Sequence, residues 1–122
     1  MNTRSKIVTA GELPSFALNR PVVATGYFDV LGPADIAELE ALASDRPLVV
    51  IVLPLAGEIL PQPARAELVA ALRVVDYVVA GANPDPCGLL ALLQPSRIVR
   101  LEEAHLRRRR ELIEDVRRRH HV

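Results

Sequence analysis

Apolar residues fall along this chain in two kinds of block. Some are dense runs without polar interruption, and others have the three-and-four spacing of a helix face. Pro21-Val22-Val23-Ala24-Thr25 is a compact β-prone run that stops at Gly26, and Pro33 then opens a stretch with Ile36, Leu39, Leu42 and Ala43 at helical spacing. Leu48 to Leu53 is apolar throughout, as expected of a strand covered by helices on both faces. A Pro-rich loop from Pro54 to Pro63 leads to a helix marked by Leu68, Ala71, Leu72 and Val75, then to a short strand, Tyr77-Val78-Val79. The turn cluster Gly81 to Pro86 launches a helix through Leu89, Leu90, Leu92 and Leu93, and Arg97 to Leu101 reads as a further strand. Strands alternating with helices predict βαβ units, hence a parallel sheet with right-handed crossovers.

The two ends complete the pattern. Thr9-Ala10-Gly11-Glu12 has capping-box spacing and is followed by Leu13, Phe16 and Ala17, which predicts a short leading helix, limited by Pro14, acting as a lid or brace. Residues 102–122 lack Gly and Pro and carry Leu106, Ile113 and Val116 as a thin apolar stripe. Glu102 and Glu103 at the start and Arg117 to Arg119 at the end suit the dipole of one long helix. The expected fold class is therefore α/β: a Rossmann-like or flavodoxin-like three-layer α/β/α sandwich, with a parallel sheet of four or five strands and a long C-terminal helix.

Composition narrows the function classes. At 122 residues, 50% of them hydrophobic and with no net charge, the chain suits a single domain spanning 1–122 and argues against disorder or a generally basic nucleic-acid binder. Its most apolar stretch, Leu48 to Ala56, is too short to span a bilayer and is broken by Pro54, so no membrane partner is expected. Met1 to Lys6 lead into no apolar run of the signal-peptide kind, and Cys87 has no partner for an internal disulfide, so a cytoplasmic location is the expectation. Cys87 reads most simply as a small core-facing residue, although a place at a helix start could lower its pKa. His105, His120 and His121 lack the spacing of a metal site.

Charge is unevenly placed. Residues 1–96 carry six basic against ten acidic side chains, and residues 97–122 carry nine Arg against five acids. The Arg107 to Arg110 run with Arg117 to Arg119 admits three readings: a solvated helix face, a docking surface for a protein partner, or a phosphate-binding patch. Aromatic residues are absent from it and acids dilute it, so nucleic acid is the weakest of the three.

One set of residues carries a more specific likeness. Lys6-Ile7-Val8-Thr9 with Glu12-Leu13, then Val22 to Leu31 including Gly26-Tyr27-Phe28-Asp29, then Arg65-Ala66-Glu67-Leu68 and Val75 to Val79, occur in order between residues 5 and 101. In this the chain resembles the HxGH nucleotidyltransferases, and among them most the adenylyltransferase domain of ADP-heptose synthase and its cytidylyltransferase relatives. The resemblance implies a nucleotidyltransferase-like core over 5–101 followed by the Arg-rich helix over 102–122.

The family's catalytic residues do not follow. After the Gly-x-Phe-Asp turn such enzymes place His-x-Gly-His, whose imidazoles meet the triphosphate, whereas this chain has Gly32-Pro33-Ala34-Asp35. Asp35 supplies a resident carboxylate to the helix start, where free N–H groups would otherwise attract an anion. A carboxylate about 4 Å from a phosphate oxygen adds repulsion of about 4 kcal/mol at an effective dielectric near 20. The family's lysine-bearing loop is replaced by Leu53 to Pro61 with Glu58 in it, and its later Ser-Thr-Thr motif has no counterpart after Leu101.

The resemblance thus implies a vestigial nucleotide site at Thr25, Gly26, Tyr27, Phe28, Asp29, Gly32 and Asp35, with no catalytic residue, metal or cofactor. Asp29 could equally cap a turn, and Arg65 and Asp76, also at family positions, could be solvent-facing or ion-paired. The expected function is a catalytically degenerate domain acting by binding or assembly, as a homodimer or with another protein through the C-terminal helix. The alternative is a divergent nucleotidyltransferase that uses NTP and Mg²⁺ on a sugar phosphate or related phosphate, with Arg100 or Arg107 standing in for the lost histidines.

Overall fold

The computed structural model describes residues 3–120. Its elements follow the predicted alternation: β1 (Val22–Gly26), α1 (Pro33–Glu40), β2 (Leu48–Val52), α2 (Gln62–Ala70), β3 (Tyr77–Ala80), α3 (Cys87–Leu93), β4 (Arg97–Arg100) and α4 (Glu102–Arg119). The four strands form one sheet in the order β3-β2-β1-β4, every pair parallel. This is a Rossmann-like order, in which the chain winds outward from β1 to β3 and then returns to the other side of β1. A single bridge from Ile7 to Val78 extends the β3 edge without making a fifth strand.

Two apolar layers sandwich the sheet. Val22, Ala24, Val50, Val52 and Val78 pack with Leu39 of α1 and Ala66, Val69 and Ala70 of α2. On the opposite face Val23, Val49, Ile51 and Val79 pack with Leu90 and Leu93 of α3 and with Leu13 and Ala17 of the leading segment. All residues of β1 and β2 are buried, which is why their sequences lack polar alternation. The edge strand β4 is largely exposed.

Several details depart from the pattern. The leading segment is two 3-10 turns, Thr3–Lys6 and Ala10–Glu12, rather than an α-helix. Glu12 does reach back to the Thr9 N–H at 2.9 Å, and Leu13 and Ala17 make the segment a brace against the sheet. In α2 the buried positions are Arg65, Ala66, Val69 and Ala70, while Leu68 is exposed, so the inward face is not the one its leucine spacing suggested. Cys87 is exposed rather than core-facing. Its pKa is raised by a hydrogen bond and charge from Asp85, the opposite of a helix-start effect. The predicted continuation of α4 through His121 and Val122 lies outside the described residues.

Candidate functional site

In an open parallel sheet the carboxyl ends of adjacent strands whose connections leave in opposite directions frame a crevice. Here that point lies between β1 and β4. The loop after β1 supplies Tyr27 to Gly32, α1 begins beside it, and α4 passes across from the end of β4. All seven residues expected at a vestigial site, Thr25 to Asp29 with Gly32 and Asp35, gather here. α4 brings three more that the sequence had not assigned: His105, Arg108 and Arg109.

His105 is buried, the one α4 residue that is. Its Nδ1 accepts the backbone N–H of Tyr27 at 3.0 Å and that of Phe28 at 3.3 Å. Phe28 holds a left-handed φ of 51° and packs edge-on to the imidazole at 4.4 Å between ring centres. Successive N–H groups converging on one point form a nest, a backbone feature that binds anions. In this protein the nest is filled by a neutral ring nitrogen from the same chain.

That hydrogen bonding fixes the ring's protonation. Backbone N–H groups can only donate, so Nδ1 is the acceptor and the proton sits on Nε2. Burial lowers the His105 pKa, with the nearby Asp35 opposing and Arg108 assisting the shift. Nε2 lies 3.4 Å from Asp35 Oδ1, outside hydrogen-bond geometry, and has no other partner.

Asp35 accepts the Gly32 N–H at 2.9 Å, half of a capping box at the start of α1. Its other oxygen takes Arg108 Nη2 at 2.9 Å, and the same guanidinium nitrogen meets Glu38. Ligand atoms of Asp35, Glu38 and His105 lie within 4.8 Å of one another, a spacing compatible with a cation. The donor set does not fit one. Nε2 carries the proton and has no lone pair to give, and the Arg108 guanidinium already sits between the two carboxylates, where a cation would have to be. The fold therefore does join His105 to carboxylates, a juxtaposition invisible in the histidine spacing, and uses them as a polar latch.

Asp29 makes a second latch. It accepts the N–H groups of Ile59 at 2.9 Å and Leu60 at 3.0 Å, and Arg109 Nε at 3.1 Å. Arg109 also donates to the Gly57 carbonyl. The Asp29 carboxylate thus ties the β2–α2 loop and α4 to the loop after β1. Thr25 donates its hydroxyl to Glu102 at the start of α4.

Arg65 supports the site from below. Fully buried, it donates to the carbonyls of Leu60 at 3.0 Å, Tyr27 at 2.7 Å and Leu53 at 2.8 Å, and pairs with Glu58 at 2.7 Å. Asp76 accepts the Leu48 N–H at 2.8 Å at the far end of the sheet. Of the Arg residues considered for a phosphate role, Arg107 is exposed and Arg100 pairs with Glu102 at 2.8 Å.

A cavity of about 190 Å³ remains between the loop after β1 and α4. Val30, Pro33, Leu55, Leu106 and Leu112 line it together with the two latches. The polar end of the crevice is closed and the rest is apolar.

The chain matches no protein-family model and no curated protein in sequence.

Proposed function

We propose that this chain is a catalytically degenerate relative of the HxGH nucleotidyltransferases, acting by binding or assembly rather than by chemistry. The observation that carries this reading is the occupation of the Tyr27–Phe28 nest by His105. A nucleotide phosphate would need those N–H groups, and it would also meet Asp29 and Asp35, whose counter-ions Arg109 and Arg108 are already engaged. Opening the site requires breaking both latches and leaving buried charges unpaired, which costs several kcal/mol. The divergent-catalyst alternative needs cations free to meet phosphate, and neither Arg100 nor Arg107 lines the crevice.

Isothermal titration of the full chain with ATP and with CTP in Mg²⁺ tests the reading. No saturable heat is expected. Binding at millimolar affinity or tighter would overturn it.

The assembly role rests on α4. The face that holds His105, Arg108 and Arg109 against the body continues one and two turns on as Leu112 and Val116, both more than 40% exposed. Acids at 111, 114 and 115 precede Arg117 to Arg119, so two antiparallel copies of this segment would set acidic against basic stretches. Homodimerisation through α4 predicts a concentration-dependent dimer in sedimentation equilibrium that Val116→Glu shifts to monomer; a monomer at every concentration rejects it. No helix among the described residues is long and apolar enough to cross a membrane.

A further inference from the structure

The cavity beside the two latches has the size, walls and charge state of a binding site. We infer that it takes a small, uncharged, apolar molecule. The inference rests on the degenerate-site reading, because it requires α4 to stay closed over the polar end of the crevice.

Size sets the first limit. About 190 Å³ is available, somewhat more than the roughly 150 Å³ of an apolar cavity that admits benzene, so a molecule of that order fits. The walls set the second. Val30, Pro33, Leu55, Leu106 and Leu112 present aliphatic surface, which favours an apolar partner.

Charge sets the third limit. Four charged side chains line the cavity, and each is already engaged: Asp29 with Arg109 at 3.1 Å, and Asp35 with Arg108 at 2.9 Å, a guanidinium that Glu38 shares. A charged ligand would have to displace one member of a pair and strand the other in a partly buried site. An uncharged molecule disturbs neither. It also gains from covering Val30 and Leu112, which line the cavity and are 39% and 41% exposed. Position agrees with this reading, since the cavity opens at the switch point between β1 and β4, where sheets of this kind receive ligands.

A titration of the ¹⁵N-labelled full chain with indole, followed by amide chemical shifts, tests the inference. Saturable shifts at Val30, Leu55 and Leu112 are expected, with a Kd of about 1 mM or tighter for a molecule of nine heavy atoms. Val30→Trp, at an exposed loop position, should fill the cavity and weaken indole at least tenfold while leaving the spectrum folded. Leu112→Ala, on α4, should weaken it severalfold through lost contact and makes the result independent of a single variant. Shifts that fail to saturate up to the solubility of indole, or that persist unchanged in both variants, overturn the inference. Saturable binding of ATP or CTP would overturn the degenerate-site reading and this inference with it. Failure of indole with nucleotide also unbound overturns this inference alone.

Discussion

The imidazole of His105 sits so close over Gly26 that a methyl group placed on the glycine would come within 2.4 Å of the ring carbon Cε1 and 2.6 Å of Nδ1. The last residue of β1 is therefore a glycine because α4 needs the space, and the packing of two segments far apart in sequence depends on one absent side chain. Gly26→Ala should destabilise the fold by about 1–3 kcal/mol through overpacking. Urea denaturation would measure this, and Gly26→Ala combined with His105→Ala should cost at least about 1 kcal/mol less than the sum of the single changes. Strict additivity would show that the two residues do not share this space.

His105 itself should be replaceable by a residue that keeps the acceptor. Asn places an oxygen near the Nδ1 position, so His105→Asn should retain much of the stability. His105→Ala, which strands the Tyr27 and Phe28 N–H groups and removes a buried ring, should lose about 3 kcal/mol. The same pair of proteins reports on pH. Burial holds the His105 pKa below its ordinary 6.5, so the unfolded chain binds more protons than the folded one as pH falls through that value. The stability is complete above about pH 6.5 and declines below it until the folded group also titrates. Urea midpoints measured at pH 7.5 and pH 5 should fall further for the wild type than for His105→Asn, which has no imidazole to protonate. Equal falls in the two proteins would contradict this account.

Arg65 is a structural cation. Its guanidinium has three carbonyl partners and one carboxylate, all on the loops that build the crevice. Arg65→Ala should cost about 3–5 kcal/mol because those acceptors lose their donors in a buried setting. Arg65→Lys should recover only part of that, since an ammonium cannot span the same fork of partners. Thermal or urea unfolding would show full recovery by Lys if only the charge mattered.

The Cys87 thiol is exposed yet held less acidic than usual by its hydrogen bond to Asp85 and by that carboxylate's charge. Asp85→Asn should therefore speed alkylation of Cys87 by iodoacetamide severalfold near pH 8, because a larger fraction becomes thiolate. An unchanged rate would mean that Asp85 does not govern the thiol.

The first 101 residues were largely legible as a fold. Uninterrupted runs at Val22 to Thr25 and Leu48 to Leu53 are the signature of strands buried on both faces, and Pro33 and the Gly81 to Pro86 cluster punctuate the chain at element boundaries. The errors came where a buried polar residue breaks the rule that inward means apolar. Arg65 takes an inward position on α2, so the leucine spacing around it gave the wrong face.

The same substitution of polar for apolar hid the site in α4. Leu106, Ile113 and Val116 were read as the stripe, yet His105 is the buried residue, with Arg108 and Arg109 turned to the same side. The i, i+3 and i+4 spacing of those three residues was available as a signal. Nothing local distinguished an Arg turned toward Asp35 or Asp29 from one in water.

The sequence by itself determined the class of fold and the helix start at Gly32 to Asp35, because hydrophobic periodicity and residue identity are local properties of the chain. It also placed a carboxylate at the start of α1, and Asp35 is there, holding the Gly32 N–H. Only the tertiary structure decided what fills the crevice after β1. Residues nearly 80 positions apart had to meet before Tyr27 and Phe28 found His105, Asp35 found Arg108 and Asp29 found Arg109. The physical reason is burial: a charge or a ring nitrogen removed from water must find its partner in three dimensions, and that partner need not be near in sequence.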